Sequence, residues 1–180
     1  EESEANRAMR RKSSAFHLGA AIGDWLLYGL IVAVMLLGGV AIFRSVDVQH
    51  RVATSFIGWY EDKPGYDKAL SDLRQSKKPM LLYIYAPWCP HCKQFAAQVL
   101  SDPQVQHFVQ AYPHVRVAPD HGQAEMALMT EYGAKGYPSF YVVLPDNRKI
   151  EIATHTEGDQ PRLKTPREFM KSILQATDGE

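Results

Sequence analysis

An uncharged apolar run near the N-terminus constrains this chain more than any other feature. No residue from Trp25 to Phe43 carries a charge, and the 19 residues read WLLYGLIVAVMLLGGVAIF. A helix rises about 1.5 Å per residue, so the run would cover roughly 28 Å, close to the ~30 Å hydrocarbon core of a bilayer. Because weaker apolar sequence leads into the run from Ala15, we predict a lipid-embedded transmembrane helix over residues 15–44.

Two other interpretations of the run are a buried helix of a soluble core and a cleaved signal peptide. The apolar region of a signal peptide is shorter, about 7–15 residues, and it ends in a small-residue cleavage site. Leu36–Phe43 supplies no clear site of that kind. We therefore favour a retained transmembrane helix.

The basic residues that flank the run predict its orientation. Four precede it and two follow it before Lys63: Arg7, Arg10, Arg11 and Lys12 against Arg44 and Arg51. Because Lys and Arg concentrate on the cytoplasmic side, we expect residues 1–14 to form a cytoplasmic tail and residues after 44 to lie outside the cytoplasm. Gly19 and Gly23 form a GxxxG spacing that allows close contact with a membrane-protein partner, although glycine is common in membrane helices in any case.

Composition limits the function of the remaining chain. Residues 45–64 are predicted as a juxtamembrane linker, and residues 65–180 as one domain, since about 115 residues suffice for a compact core. The formal net charge of zero offers no electrostatic footprint for nucleic acid, so no nucleic-acid partner is expected. Two cysteines are too few for a disulfide-rich secreted scaffold.

Hydrophobic patterning in this domain predicts alternating helices and strands. Helices are predicted over 66–75, from 90, from 103, over 123–132 and after Thr165, and strands over 80–86, 114–118, 139–144 and 149–153. Asp102 and Thr165 are predicted helix caps, each followed by a proline in the first helical position. With the helices from 90 and from 103 counted as one helical segment, the order α-β-α-β-α-β-β-α predicts an α/β fold with a central mixed sheet of about four strands, flanked by helices.

Both cysteines lie in one short segment, residues 88–93, which reads WCPHCK. Cys89 falls where a strand ends and a helix begins, and there unpaired N–H groups and the helix dipole favour a thiolate. Cys92 follows one helical turn later, close enough to close a disulfide on Cys89, so attack and resolution become possible in one place. The pattern predicts Cys89 and Cys92 as a catalytic redox pair that needs no metal and no organic cofactor.

The neighbours of the pair are candidates for tuning its reduction potential: Trp88, Pro90, His91 and Lys93. A protonated or hydrogen-bonding His91 would favour the thiolate and so make the disulfide a stronger oxidant. An exposed histidine without effect and a solvated lysine are the alternatives. For the cysteines, three alternatives stay open: a structural zinc site, which needs four ligands, a structural disulfide, whose small loop constrains little, and two inert buried thiols.

A second notable segment, residues 136–139, reads GYPS. Pro138 opens the third predicted strand, and proline is tolerated at the first position of a strand. A cis bond after Tyr137 is a minority state for an X-Pro pair, so these residues by themselves favour trans.

Together these features resemble the thioredoxin superfamily over about residues 64–178. The resemblance rests on the strand-WCPHC-helix unit, the YPSF segment at residues 137–140 and the order of the elements. It implies a thioredoxin fold, Cys89 as an exposed nucleophile, Cys92 as the resolving cysteine, and a cis bond between Tyr137 and Pro138, whose loop binds the substrate. The Pro-His pair resembles DsbA-type oxidases, whereas YAPWCPHCKQF followed by SDPQVQ is similar to the C-terminal domain of DsbD.

Two positions depart from the patterns of these families. Thioredoxins usually carry a buried Asp five residues before the Trp, where this chain has Tyr83. The DsbD-like domain has an acid four residues after its second cysteine, where this chain has Ala96. The carboxylate that would take the proton from Cys92 is therefore not identified, and Asp120 and Glu125 are the candidate substitutes.

The sequence and the resemblance predict a membrane-anchored thiol-disulfide oxidoreductase that acts on protein thiols and disulfides. Its predicted location is the bacterial inner membrane, with the thioredoxin-like domain in the periplasm. His91 favours oxidation or isomerisation, and the DsbD-like body favours reduction. The alternative is a non-catalytic thioredoxin-like interaction subunit of a membrane assembly, which the GxxxG spacing and the missing acids motivate.

Overall fold

The computed structural model of the protein describes residues 27–47, 49, 51–52 and 55–178, in two units that divide after Asp47. The first unit contains α1, Leu27–Asp47, a helix of 21 residues with a mean hydropathy of 2.2 and no buried side chains. By length and composition, α1 can cross a membrane. The first part of the predicted span, the predicted cytoplasmic tail, and Gly19 and Gly23 lie outside the described residues.

The second unit is a sheet flanked by helices. Its strands are β1 Tyr60–Glu61, β2 Met80–Ile84, β3 His114–Val117, β4 Ser139–Val143 and β5 Lys149–Glu151. Its α-helices are α2 Asp62–Ser76, α3 Pro90–Phe95, α4 Pro103–Val109, α5 Gln123–Glu131 and α6 Pro166–Thr177. A π-helical turn, Ala96–Leu100, continues α3, and a 3₁₀ turn, Pro119–His121, precedes α5.

The strand order is β1-β3-β2-β4-β5. β2 pairs in parallel with β3, and β4 pairs antiparallel with β2 and with β5, so the predicted mixed sheet and its terminal hairpin are confirmed. β2 and β4 are buried along their whole length because helices and loops cover both faces of the sheet centre. The C-terminal end of β2 therefore leads the chain directly to the cysteine segment.

The structure adds a fifth strand and places part of the predicted linker in the domain. β1 pairs in parallel with β3 and lies within residues 45–64. Trp59 beside it is 7% exposed, so the folded domain begins before residue 65. A strand of two residues has no alternation of apolar and polar side chains, which is why the pattern did not predict it.

The helix starts follow the predicted capping chemistry. The Asp102 carboxylate accepts N–H hydrogen bonds from Gln104 and Val105 at the start of α4. Thr165 and Glu168 form a reciprocal capping box at the start of α6. Both predicted caps are confirmed, and both precede a proline in the first helical position, where the missing N–H costs nothing.

Ser55 fastens the entry of the domain to the turn that follows α3. Its side chain is buried, and its Oγ lies 2.7 Å from the carbonyl oxygen of Arg51 and 2.8 Å from that of Ala96. The Ala96 carbonyl also accepts the N–H of Ser101, at 2.9 Å, within the π-helical turn. The segment ahead of β1 is thus joined to the helix that carries the cysteines.

We expect Ser55→Ala to lower the free energy of unfolding by about 1 kcal/mol, because it removes a buried hydrogen bond between distant segments. Urea unfolding of the full chain in detergent measures this loss. Ser101→Ala is the matched control, since its Oγ bonds the Ala97 carbonyl within one helical turn. Equal losses in the two variants would show that Ser55 does not join the two segments.

Candidate active site

Cys89 lies between the end of β2 and the first residue of α3. It is the N-cap of α3, and its Sγ accepts the backbone N–H of Cys92 at 3.2 Å. Pro90 occupies the first helical position, as predicted, so the capping sulfur faces a helix start whose N–H groups lack intrahelical partners. The Sγ of Cys89 is thus placed to accept hydrogen bonds from the start of α3.

Both cysteines are free thiols, and both are buried. Cys89 is 4% exposed and Cys92 is 3% exposed, so the expectation of an exposed nucleophile is wrong for this structure. Cys89, Cys92 and Ala86 pack together against Tyr85 and Tyr137. These aromatic neighbours help to bury the cluster that contains Cys89, the residue that the resemblance assigns as the nucleophile.

The surroundings of Cys92 disfavour its thiolate form. Burial, and then the hydrogen bond with Cys89, raise the pKa of Cys92 to about 12. A backbone hydrogen bond from Ala86 and the hydroxyl of Tyr83 act on this pKa in the opposite direction. A raised cysteine pKa means that the neutral thiol dominates until the pH approaches that value, so Cys92 is a thiol at neutral pH.

Alkylation tests this protection. Since only the thiolate reacts with iodoacetamide, we expect Cys92 in the reduced, folded chain at pH 8 to react on the order of a hundredfold more slowly than in the unfolded chain. The rate should rise as the pH increases toward about 12. Peptide mass spectrometry measures each cysteine separately, with the urea-unfolded chain as control. Equal Cys92 rates in the folded and unfolded chains would contradict the raised pKa.

The loop before β4 lies against the cysteines. The Tyr137–Pro138 peptide bond is cis, which confirms the prediction from the resemblance. The thiol of Cys89 points toward the carbonyl oxygen of Tyr137, at 3.8 Å. The structure therefore brings Tyr137 and the redox segment together, with Pro138 as the next residue of the loop.

Trp88 forms an exposed rim beside this loop. Its side chain is 65% exposed, and its ring packs edge-on against Tyr137 with centroids 5.8 Å apart. The indole N–H donates a hydrogen bond to Asp120 Oδ2 at 2.5 Å, from the 3₁₀ turn. The contacts with Tyr137 and Asp120 fix the orientation of the Trp88 ring, which presents an apolar surface next to Cys89.

The two candidate acids have other partners in the structure. Asp120 bonds the indole of Trp88. Glu125 is buried, and its Oε1 accepts the backbone N–H of Lys63 at 3.0 Å near the start of α2. Neither of these contacts brings a carboxylate to the thiol of Cys92. The predicted roles of Asp120 and Glu125 as proton acceptors therefore gain no support.

The remaining predicted site residues lie on the surface of α3. Pro90, His91 and Lys93 are exposed. The His91 ring lies 6.5 Å, centroid to centroid, from that of His155, a residue after β5 that sequence reasoning missed. Lys93 and Cys92 line the same small cavity. His155 stands apart from any motif, and only the tertiary structure brings it to the site.

Tyr83 is the most informative residue that sequence reasoning did not assign to the site. Tyr83 is the fourth residue of β2, and its hydroxyl donates a hydrogen bond to the carbonyl oxygen of Cys92 at 3.5 Å. The sequence did mark this position: Tyr83 lies five residues before Trp88, where thioredoxins usually carry an aspartate. Among the described residues, no cluster of three or more His, Cys, Asp or Glu side chains has the geometry of a metal site.

Comparison with known proteins agrees with the fold. A family model described as Thioredoxin-like matches residues 59–145. The chain is 39% identical over 80 residues to thiol:disulfide interchange protein DsbD 1 of Pseudomonas aeruginosa, and 33% identical over 86 residues to a protein disulfide-isomerase of Hordeum vulgare. These matches cover 44% and 48% of this chain, but only 14% and 16% of the two relatives.

The solved structures include a closer match in length. The C-terminal domain of Neisseria meningitidis DsbD in the oxidised form superimposes with a TM-score of 0.52 at 26% identity. That match covers 66% of this chain and 98% of the domain. The mixed sheet, the helix-capping CxxC pair and the cis-proline loop agree with this match, so the domain has a thioredoxin fold and is similar to the C-terminal domain of DsbD.

Proposed function

We propose that this protein is a membrane-anchored thiol-disulfide oxidoreductase that exchanges disulfides with protein substrates through Cys89 and Cys92. The observation that carries the proposal is the position of Cys89, which caps α3 and accepts the N–H of Cys92 at 3.2 Å. The relatives' own names, thiol:disulfide interchange protein and protein disulfide-isomerase, support this class of reaction.

The geometry suits a two-step exchange. In the reductive direction, the Cys89 thiolate attacks a substrate disulfide, one substrate sulfur leaves as a thiolate, and a mixed disulfide forms. Cys92 then loses its proton and attacks Cys89, which releases the second substrate thiolate and leaves a Cys89–Cys92 disulfide. In the oxidative direction the same steps run backward, so the dithiol and the disulfide are the only redox forms that the pair requires.

The residues around the pair would orient the substrate. The exposed indole of Trp88 and the ring of Tyr137 flank the loop that carries Pro138, beside the buried sulfur of Cys89. A substrate disulfide must reach Cys89 through this rim, because the sulfur is only slightly exposed. Trp88, Tyr137 and Pro138 are therefore the proposed contacts to the substrate.

We place the anchor in α1. Its 21 residues are long and apolar enough to span a bilayer, and the flanking basic residues favour a cytoplasmic N-terminus with the thioredoxin-like domain in the periplasm. The proposed location is a bacterial inner membrane, and the similarity to DsbD supports it. Thiol alkylation of the chain in intact cells would read the resting state of the pair and hence the direction of the reaction.

The replacement of both cysteines by serine tests the proposal. We expect the double variant Cys89→Ser/Cys92→Ser to lose disulfide exchange down to the uncatalysed background, because no other cysteine is present in the chain. Insulin reduction with dithiothreitol measures the rate, and circular dichroism checks that the variant is folded. An unchanged rate, with loss of cellular function on replacement of Gly19 and Gly23 instead, would support the non-catalytic interaction subunit.

A further inference from the structure

A small cavity lies beside the cysteine segment, between the end of β2 and α3. Its volume is about 250 Å³, its wall is mostly apolar or aromatic, and Cys92 forms part of that wall. An apolar cavity of about 150 Å³ is large enough to hold benzene. This cavity therefore has room for one apolar side chain of the size of leucine, methionine or phenylalanine.

The cavity opens next to the redox pair. Pro87 and Lys93 are exposed residues of its lining, and both belong to the segment around the cysteines. Ala86 is also part of the wall, and it packs against Cys89 and Cys92. A substrate chain that is joined to Cys89 is therefore held close to this opening.

Aromatic contacts give one wall of the cavity a fixed shape. The ring of Phe56 stacks on Tyr83 and on Tyr85, with centroids 5.7 Å and 6.1 Å apart. The guanidinium of Arg116 lies 4.4 Å from the centroid of the Phe56 ring, and its Nε donates a hydrogen bond to Glu61 Oε1 at 3.1 Å. Because these groups hold one another in place, the cavity is preformed and little ordering is needed to fill it.

Lys93 supplies positive charge at the mouth of the cavity. Among the residues that the structure describes, no carboxylate forms an ion pair with its ammonium group. Arg116, the other cation of the lining, is paired with Glu61. An apolar cavity with a cation of this kind at its edge is complementary to an apolar side chain that has an acidic neighbour.

We propose that this cavity is a recognition site for the protein substrate, which inserts one apolar side chain from near its reacting cysteine and carries an acidic residue beside that side chain. The inference deepens the proposed function and rests on it, because the exchange joins the substrate to Cys89. Neither Trp88 nor Tyr137 lines the cavity, so the site is separate from the rim that these two residues form.

Short peptides with a single cysteine, activated as its disulfide with thionitrobenzoate, test the proposal. They react with the reduced full chain in detergent, and release of thionitrobenzoate gives a second-order rate constant. Leucine replaces alanine at each position near the cysteine in turn, with glutamate as its neighbour. We expect leucine at one of these positions to raise the rate constant about tenfold, as burial of the larger side chain would. Lysine in place of the glutamate should lower it about threefold at low salt.

Two pairs of variants locate the site. Val52→Phe fills the cavity from a half-buried position of its wall, and Ile57→Phe is the matched control, exposed and outside the lining. The leucine-to-alanine ratio should fall below about twofold in Val52→Phe and stay near tenfold in Ile57→Phe. Lys93→Gln should lose the preference for glutamate, whereas Gln94→Glu, with the same change in net charge, should keep it. Each ratio is taken within one variant, so a change in overall reactivity cancels.

A wild-type leucine-to-alanine ratio below about twofold at every position, or a full ratio in Val52→Phe, would overturn the recognition site. Equal loss of the glutamate preference in Lys93→Gln and Gln94→Glu would overturn the role of Lys93. A leucine preference that disappears as the detergent concentration rises would assign the cavity to an acyl chain and overturn the site as well. A wild-type chain that reacts with no peptide faster than Cys89→Ser/Cys92→Ser would instead contradict the proposed function, and this inference with it.

Discussion

Replacing Cys92 with alanine is expected to leave Cys89 covalently joined to its substrate. In the wild type, Cys92 follows Cys89 by one helical turn, and the two residues pack together. An intramolecular thiol held at this position has an effective concentration far above that of any external thiol. Loss of the Cys92 thiol should therefore increase the lifetime of the mixed disulfide on the order of a hundredfold or more.

Non-reducing electrophoresis measures the adduct, and mass spectrometry identifies the attached protein. Cys89→Ala is the control and should give no adduct, because the burial that raises the Cys92 pKa to about 12 leaves little thiolate to attack in its place. An adduct in Cys89→Ala that is as abundant as in Cys92→Ala would reverse the assignment of nucleophile and resolving cysteine. Equal absence in both would contradict exchange with protein substrates.

The features that depend on residues close together in the sequence could be predicted for this protein. Asp102 and Thr165 cap helices through hydrogen bonds to residues two or three positions away, and such contacts are encoded in the adjacent sequence. The position of Cys89 at a helix start follows from the apolar strand before it and the proline after it. Local sequence therefore predicted the helix starts and the cysteine geometry together.

The part that the sequence did not reveal depends on long-range packing. Asp120 and Trp88 form a hydrogen bond although they are 32 positions apart in the sequence, and Ser55 and Ala96 form one although they are 41 positions apart. The burial of Cys89 comes in part from Tyr137, whose position depends on where β4 joins the sheet. No periodicity within a single segment contains this information, so only the folded structure shows the burial of Cys89 and the hydroxyl of Tyr83 at the carbonyl oxygen of Cys92.

Phe95 links the core of the domain to the redox pair, and its removal is expected to cause the largest loss of stability among the variants considered. It is the last residue of α3, three positions after Cys92, and it is 0% exposed. Its ring packs edge-on against Phe169 of α6 at 5.1 Å and contacts Tyr83 at 5.8 Å. Because the surrounding rings cannot fill the space, Phe95→Ala should lower the free energy of unfolding by about 3–5 kcal/mol.

Denaturant unfolding of the full chain in detergent measures the loss. Gln94→Ala, on the exposed side of the same helix, is the matched control and should stay within about 0.5 kcal/mol of wild type. If the two variants were equally stable, the aromatic cluster would not be what holds α3 against the sheet. The expected difference instead ties the fixed position of Cys92 to the core, because the side chain that anchors its helix is also a contact of the Tyr83 ring.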